Sequence, residues 1–137
     1  MLAIVMETLP LIIQVIESYP IADNVSFIGR INLHDYLTKR QPSIYANSRT
    51  NWVYILTRGD CVLYVGQTVI GVKKRMWQHI SNGDAIGSLI KTEGFENFDI
   101  HLVKVRSRLS AAEKHFIRDL AATINKQHAA SRIPDRI

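Results

Sequence analysis

Cysteine is nearly missing from this chain: Cys61 stands alone among 137 residues. A single thiol excludes an internal disulfide framework, and no Cys/His spacing of the kind a zinc site uses occurs. A reducing compartment, the cytoplasm, is the expected location. Long hydrophobic runs are missing too. The apolar start LAIVMETLPLIIQVI is broken by Glu7, Pro10, Gln14 and Glu17, well short of the roughly 18–20 residues a membrane span needs, and no Lys or Arg precedes it. Neither a signal peptide nor a membrane partner is expected. Internal repeats and low-complexity tracts are absent, and 47% hydrophobic with 21% charged residues excludes a disordered polyelectrolyte.

What is present is a lopsided positive charge. The net charge is +5, yet residues 1–50 balance four Lys/Arg against four acids, which leaves 13 basic and 8 acidic residues in 51–137. A field of that kind draws polyanions by steering and counterion release. It is equally the mark of an ordinary solvated surface.

The hydrophobic pattern divides the chain. Thr8 is placed to cap a helix with Pro10 in its first turn and Leu11, Ile12, Val15 and Ile16 on one face. A short strand at Val25–Ile28, a helix over Leu33–Lys39 behind an Asn32 cap, and a polar loop 41–50 follow. Residues 1–50 therefore read as a mostly helical extension, packed on the rest or lying at an oligomer interface. From Asn51 the pattern sharpens. Trp52–Leu56 and Val62–Val65, rich in β-branched and aromatic residues around Arg58-Gly59-Asp60, form a β-hairpin. A helix over Val72–Ser81 closes at Asn82-Gly83, a second spans Ile86–Thr92, Phe98–Val105 alternates as a third strand, and a last helix covers Ser110–Ile124. Residues 127–137 are a polar, Pro-interrupted tail. The order β, β, α, α, β, α over 51–126 predicts an α+β domain.

Within this domain several polar residues can carry chemistry. Tyr54 and Tyr64 lie at offset positions of neighbouring strands. Arg75 offers a planar guanidinium suited to phosphate oxygens, and His79, at i+4, emerges on the same helix face. Glu113 lies on the final helix. Each also has a plainer reading. The tyrosines suit a half-buried sheet, Lys73, Lys74 and Arg75 a solvated helix face, and His79 a surface position, while Ser110-Ala111-Ala112-Glu113 matches a capping box.

In order and spacing, Val53-Tyr54, Tyr64-Val65-Gly66, Arg75, Glu113 and Asn125 resemble the GIY-YIG nuclease family, and the likeness covers roughly residues 52–126. Trp52 stands where the first Gly of the family usually is, and Gln67 follows the second triplet where the repair branch tends to have Lys. His79 is similar to the homing-endonuclease branch. The resemblance implies a small, mainly antiparallel three-stranded sheet flanked by helices, with the activity of a divalent-metal-dependent endonuclease. It implies one Mg2+ or Mn2+ held by Glu113, and catalytic roles for Tyr54, Tyr64, Arg75, His79 and Glu113. It also implies substrate contacts from Lys73, Lys74, Gln67 and Asn125, and duplex or branched DNA as partner. A homodimer, an RNA substrate and a binding module that does not cut remain open. With reference pKa values near 10 for a phenol and 6.5 for an imidazole, His79 is the easier base and Tyr54 the alternative.

Overall fold

The hairpin forms where the pattern places it. In this computed structural model, which describes residues 8–21, 23–40, 50–121 and 125, β2 (Asn51–Arg58) and β3 (Cys61–Thr68) pair antiparallel, with Tyr54 opposite Gly66. Leu63 is an extra residue in that ladder, because Leu56 faces Tyr64 while Thr57 faces Val62. A bulge of this kind bends and twists the strand locally. The third expected strand, β4 (Asp99–Val105), lies antiparallel along the other edge of β2, with Val53 opposite Val103 and Ile55 opposite His101.

The sheet then departs from expectation, for it has four strands rather than three, in the order β1-β4-β2-β3. The first strand, β1 (Val25–Asn32), comes from the N-terminal segment and pairs antiparallel with β4, from Val25 opposite Val105 to Asn32 opposite Asp99. Val25–Ile28 is the start of this longer strand, which a bulge between Phe27 and Gly29 interrupts. The physical reason is the unpaired edge of β4. Nearly all of β4 is buried, and buried backbone groups need partners. Residues 25–32 are thus part of the sheet rather than an appendage to it.

Helices cover both faces. On one side α1 (Thr8–Glu17) and α5 (Leu109–Leu120) enclose Val53, Ile55, Val65, Val103 and Phe116. On the other, α2 (Leu33–Thr38), α3 (Val72–Asn82) and α4 (Ala85–Glu93) enclose Tyr54, Leu56, Met76, Ile90 and Leu102. Six consecutive residues of β2, Trp52–Thr57, are buried as a result. This explains why that strand reads as a continuous apolar run instead of an alternating one.

Local signals fix most helix ends. The Asn32 side chain accepts the Asp35 N–H at the start of α2, and Gly83 closes α3 in a left-handed conformation with φ 64°. Helix α5 differs from the reading of Ser110 as its cap. It starts at Leu109 behind Arg108, with no side-chain capping bond, and ends at Leu120 where Ala121 turns left-handed. Burial of Phe116 and Leu120, at about 1.5–3 kcal/mol each, outweighs the roughly 1 kcal/mol a cap contributes, so packing sets this helix. The reading of its continuation over 122–124, the capping role of the Thr8 side chain, the loop over 41–49 and the tail 127–137 fall outside the described residues. Among the described residues no helix is long and apolar enough to cross a membrane.

Candidate active site

Tyr54 is fully buried at the centre of β2, and its ring lies across the backbone of Gly66 on β3. A Cβ at position 66 would sit 2.4 Å from the Tyr54 Cζ and hydroxyl, so only glycine lets the ring take this path. The ring of Tyr64 lies 6.2 Å from that of Tyr54 on the same face. Helix α3 crosses above them. Its i, i+4 spacing turns Arg75 and His79 toward the two phenols, and the His79 ring meets Tyr64 edge-on at 5.3 Å.

The hydroxyl of Tyr54 lies 2.8 Å from His79 Nε2, and His79 Nδ1 lies 2.5 Å from Asp84 Oδ2. A carboxylate can only accept, so Nδ1 carries the proton, Nε2 presents its lone pair, and the Tyr54 O–H donates to it. The other oxygen of Asp84 accepts the Gly87 N–H at 2.9 Å and caps α4. This corner depends on close backbone approach, because a Cβ at position 87 would fall 1.9 Å from the His79 carbonyl oxygen. Asp84 was not singled out in the sequence. The signal that marks it is an Asp directly after a helix-closing Gly, where the next helix needs its cap.

The surroundings hold both rings neutral. Burial raises the Tyr54 pKa well above the usual phenol value, the neighbouring Tyr64 and Glu113 add to this, and Arg75 opposes it. Burial lowers the pKa of His79 from its ordinary value, Asp84 pulls the other way, and Arg75 lowers it further. Arg75 therefore lies within electrostatic reach of both rings, while its Nη1 donates to Gln78 Oε1 at 3.2 Å.

Glu113 approaches from α5, on the opposite face of the sheet. Gln67 of β3 donates through Nε2 to Glu113 Oε1 at 3.1 Å and to Ser110 Oγ at 3.3 Å. The Ser110-x-x-Glu113 pair thus serves to hold Gln67 instead of closing a capping box, and Gln67, expected as a substrate contact, orients the carboxylate. Asn125 was expected at the substrate as well. Its amide instead clamps the edge strand, with Oδ1 accepting the Val65 N–H at 2.6 Å and Nδ2 donating to the Val65 carbonyl at 3.0 Å. Lys73 and Lys74 occupy the first turn of α3, half-buried and exposed respectively.

No family model, curated protein or solved structure matches the chain. The site must be judged on its own geometry. Tyr54 is the hub, in contact with His79 and sensing Tyr64, Arg75 and Glu113.

Among the described residues no three His, Cys, Asp or Glu side chains gather as a metal cage. A single half-buried carboxylate is still a fitting donor for Mg2+, which binds through one or two carboxylates together with water and substrate phosphate. Glu113 is the residue that would hold it.

Proposed function

We propose that this chain is a divalent-metal-dependent endonuclease that hydrolyses phosphodiester bonds in DNA, duplex or branched. The observation that carries the reading is the hydrogen bond between the Tyr54 hydroxyl and His79, with the Tyr64 ring beside it and the charges of Arg75 and Glu113 near enough to act on that hydroxyl.

The hydrogen-bond chain supports one proton path. Tyr54 is closed to solvent here, so substrate binding must first admit the attacking water to its hydroxyl; the water proton then passes to the Tyr54 oxygen while the Tyr54 proton moves to His79 Nε2, and Asp84 offsets the charge that forms on the imidazole. In this reading Tyr54 and His79 act together as one base. Arg75 stabilises charge growing on the non-bridging oxygens, and loss of such a group typically costs about 3–4 kcal/mol in the barrier. Tyr64 positions a phosphate oxygen beside the Tyr54 ring, with Lys73 and Lys74 at the approach. Glu113 would hold a Mg2+ or Mn2+ ion, which would supply Lewis-acid stabilisation when bound. The described residues form one such centre, so cutting both strands takes two copies or two binding events.

The test is a panel of plasmid, branched, single-stranded DNA and RNA substrates with Mg2+, Mn2+ or EDTA. Cleavage should require the metal and disappear in Glu113→Ala and Arg75→Ala while their melting temperatures stay near that of the unaltered protein. Failure to cut any DNA with either metal refutes the reading.

A further inference from the structure

We propose that the groove between α1 and α5 holds one unpaired nucleotide of a nucleic-acid strand, a reading that rests on the proposed action on nucleic acid. The groove encloses about 330 Å3, and its walls join two kinds of chemistry. Tyr19 and Ile21, at the turn after α1, form an apolar floor, and Ile21 is 47% exposed. Arg108, Lys114 and Arg118 line the other side.

The cations are placed by the helix and not by ion pairing. Lys114 and Arg118 are separated by one turn and share a face of α5, and Arg108 precedes its first turn. Among the described residues the side chains of Arg108 and Lys114 make no hydrogen bond or ion pair, whereas Arg118 donates through Nε to Asp119 at 2.8 Å. Three cations thus face one acid. His115 beneath them is already satisfied, since Nε2 donates to the Val15 carbonyl at 3.1 Å and Nδ1 accepts from Arg118 Nη2 at 3.2 Å. The His115 ring meets that of Tyr19 edge-on at 4.9 Å and holds it in the floor.

A phosphate beside a flat apolar group is what such walls complement. A nucleotide whose base has left the duplex has both parts, and cationic grooves with an aromatic platform are the general means of binding single strands. A duplex offers only its backbone here, because its bases are stacked inside. Position connects the groove to the proposed centre. Glu113 and Lys114 are adjacent on α5 and point about 100° apart, so a strand leaving Glu113 reaches Lys114 by passing around a helix about 10 Å across.

The test measures binding in EDTA by fluorescence anisotropy, with a labelled 12-nucleotide single strand and the same sequence as a blunt duplex. The double substitution Arg108→Asn with Lys114→Gln removes both cations, and Asn suits the left-handed backbone at 108, where φ is 53°. Ile21→Ser removes part of the floor. The unaltered protein should prefer the single strand. The double variant should weaken that binding at least tenfold and flatten the slope of log Kd against log salt by about 1.4, at about 0.7 per lost phosphate contact. Ile21→Ser should weaken the single strand and leave the duplex unchanged, and melting temperatures should hold in all variants. Equal losses on both DNA forms, an unchanged salt slope, or no binding to either form would each overturn the proposal. The two readings fail separately. Protein that binds this way but never cuts with Mg2+ refutes the nuclease alone, and protein that cuts while the double variant binds normally refutes the groove alone.

Discussion

Replacing Asp84 with Asn changes one atom that the His79 ring faces and leaves the helix cap in place. Asp84 serves two partners, the Gly87 N–H through Oδ1 and His79 Nδ1 through Oδ2. Asn caps helices as well as Asp does, so folding stability should change by less than about 1 kcal/mol. The amide NH2 now replaces the oxygen in front of Nδ1 and donates where Oδ2 accepted. Nδ1 must then accept, its proton moves to Nε2, and the 2.8 Å contact with Tyr54 reverses direction. A tyrosine that accepts from His79 cannot pass its proton there. General-base steps contribute roughly 10^2–10^4-fold, and a wrong tautomer forfeits most of that. Single-turnover cleavage by Asp84→Asn should therefore slow by two orders of magnitude or more, with substrate affinity nearly unchanged. The 15N shifts of the His79 ring should report a protonated Nδ1 in the unaltered protein and a protonated Nε2 in the variant. Retention of both the rate and the Nδ1–H tautomer would refute the proton path, whereas a switched tautomer at full rate would show that His79 takes no part in the chemistry.

Gly66→Ala places a methyl carbon 2.4 Å from the Tyr54 hydroxyl, so the ring must swing off His79. Cleavage should fall at least a hundredfold for a stability loss of about 1–3 kcal/mol, and an undiminished rate would contradict the packing argument. Asn125→Ala removes two hydrogen bonds from Val65, together about 1–3 kcal/mol. Hydrogen exchange at the Val65 amide should accelerate more than at β2, and unchanged protection would deny the clamp. His101 is fully buried, bonded through Nε2 to Thr57 Oγ1 at 3.0 Å, and its Nδ1 has no partner among the described residues. Burial, helped by Arg30, lowers its pKa from 6.5 to about 4. Above pH 6.5 the ring is neutral in folded and unfolded chains alike and costs nothing. As pH falls from 6.5 to 4 the unfolded chain takes the proton first, so the fold loses stability, roughly 3 kcal/mol in all. His101→Gln keeps a partner for Thr57 and cannot titrate, so its melting temperature should drop less than that of the unaltered protein across this window, and parallel curves would refute the assignment.

Much of the molecule could be read without coordinates because the signals are local. The hairpin follows from two β-rich runs about Gly59, the end of α3 from Asn82-Gly83, and the start of α2 from Asn32, each within a few residues of its cause. The same holds for pairing Arg75 with His79, since helical periodicity alone turns them to one side. The partnership of β1 with β4 could not be read this way. It joins residues some 75 positions apart, and Ser26, Gly29, Arg30 and Asn32 dilute the strand pattern of β1, so only the demand of the β4 edge for a partner creates it.

At the site the division is sharper. Residue type and order alone determined which side chains are available: two phenols, a guanidinium, an imidazole and a carboxylate. Tertiary structure alone decided what each one touches. It placed Gln67 rather than a helix cap against Glu113, turned Asn125 to the backbone of β3, and completed the Tyr54–His79 pair with Asp84. Hydrogen bonds act over about 3 Å and select partners by position and direction, and these exist only once the two helical layers have closed on the sheet.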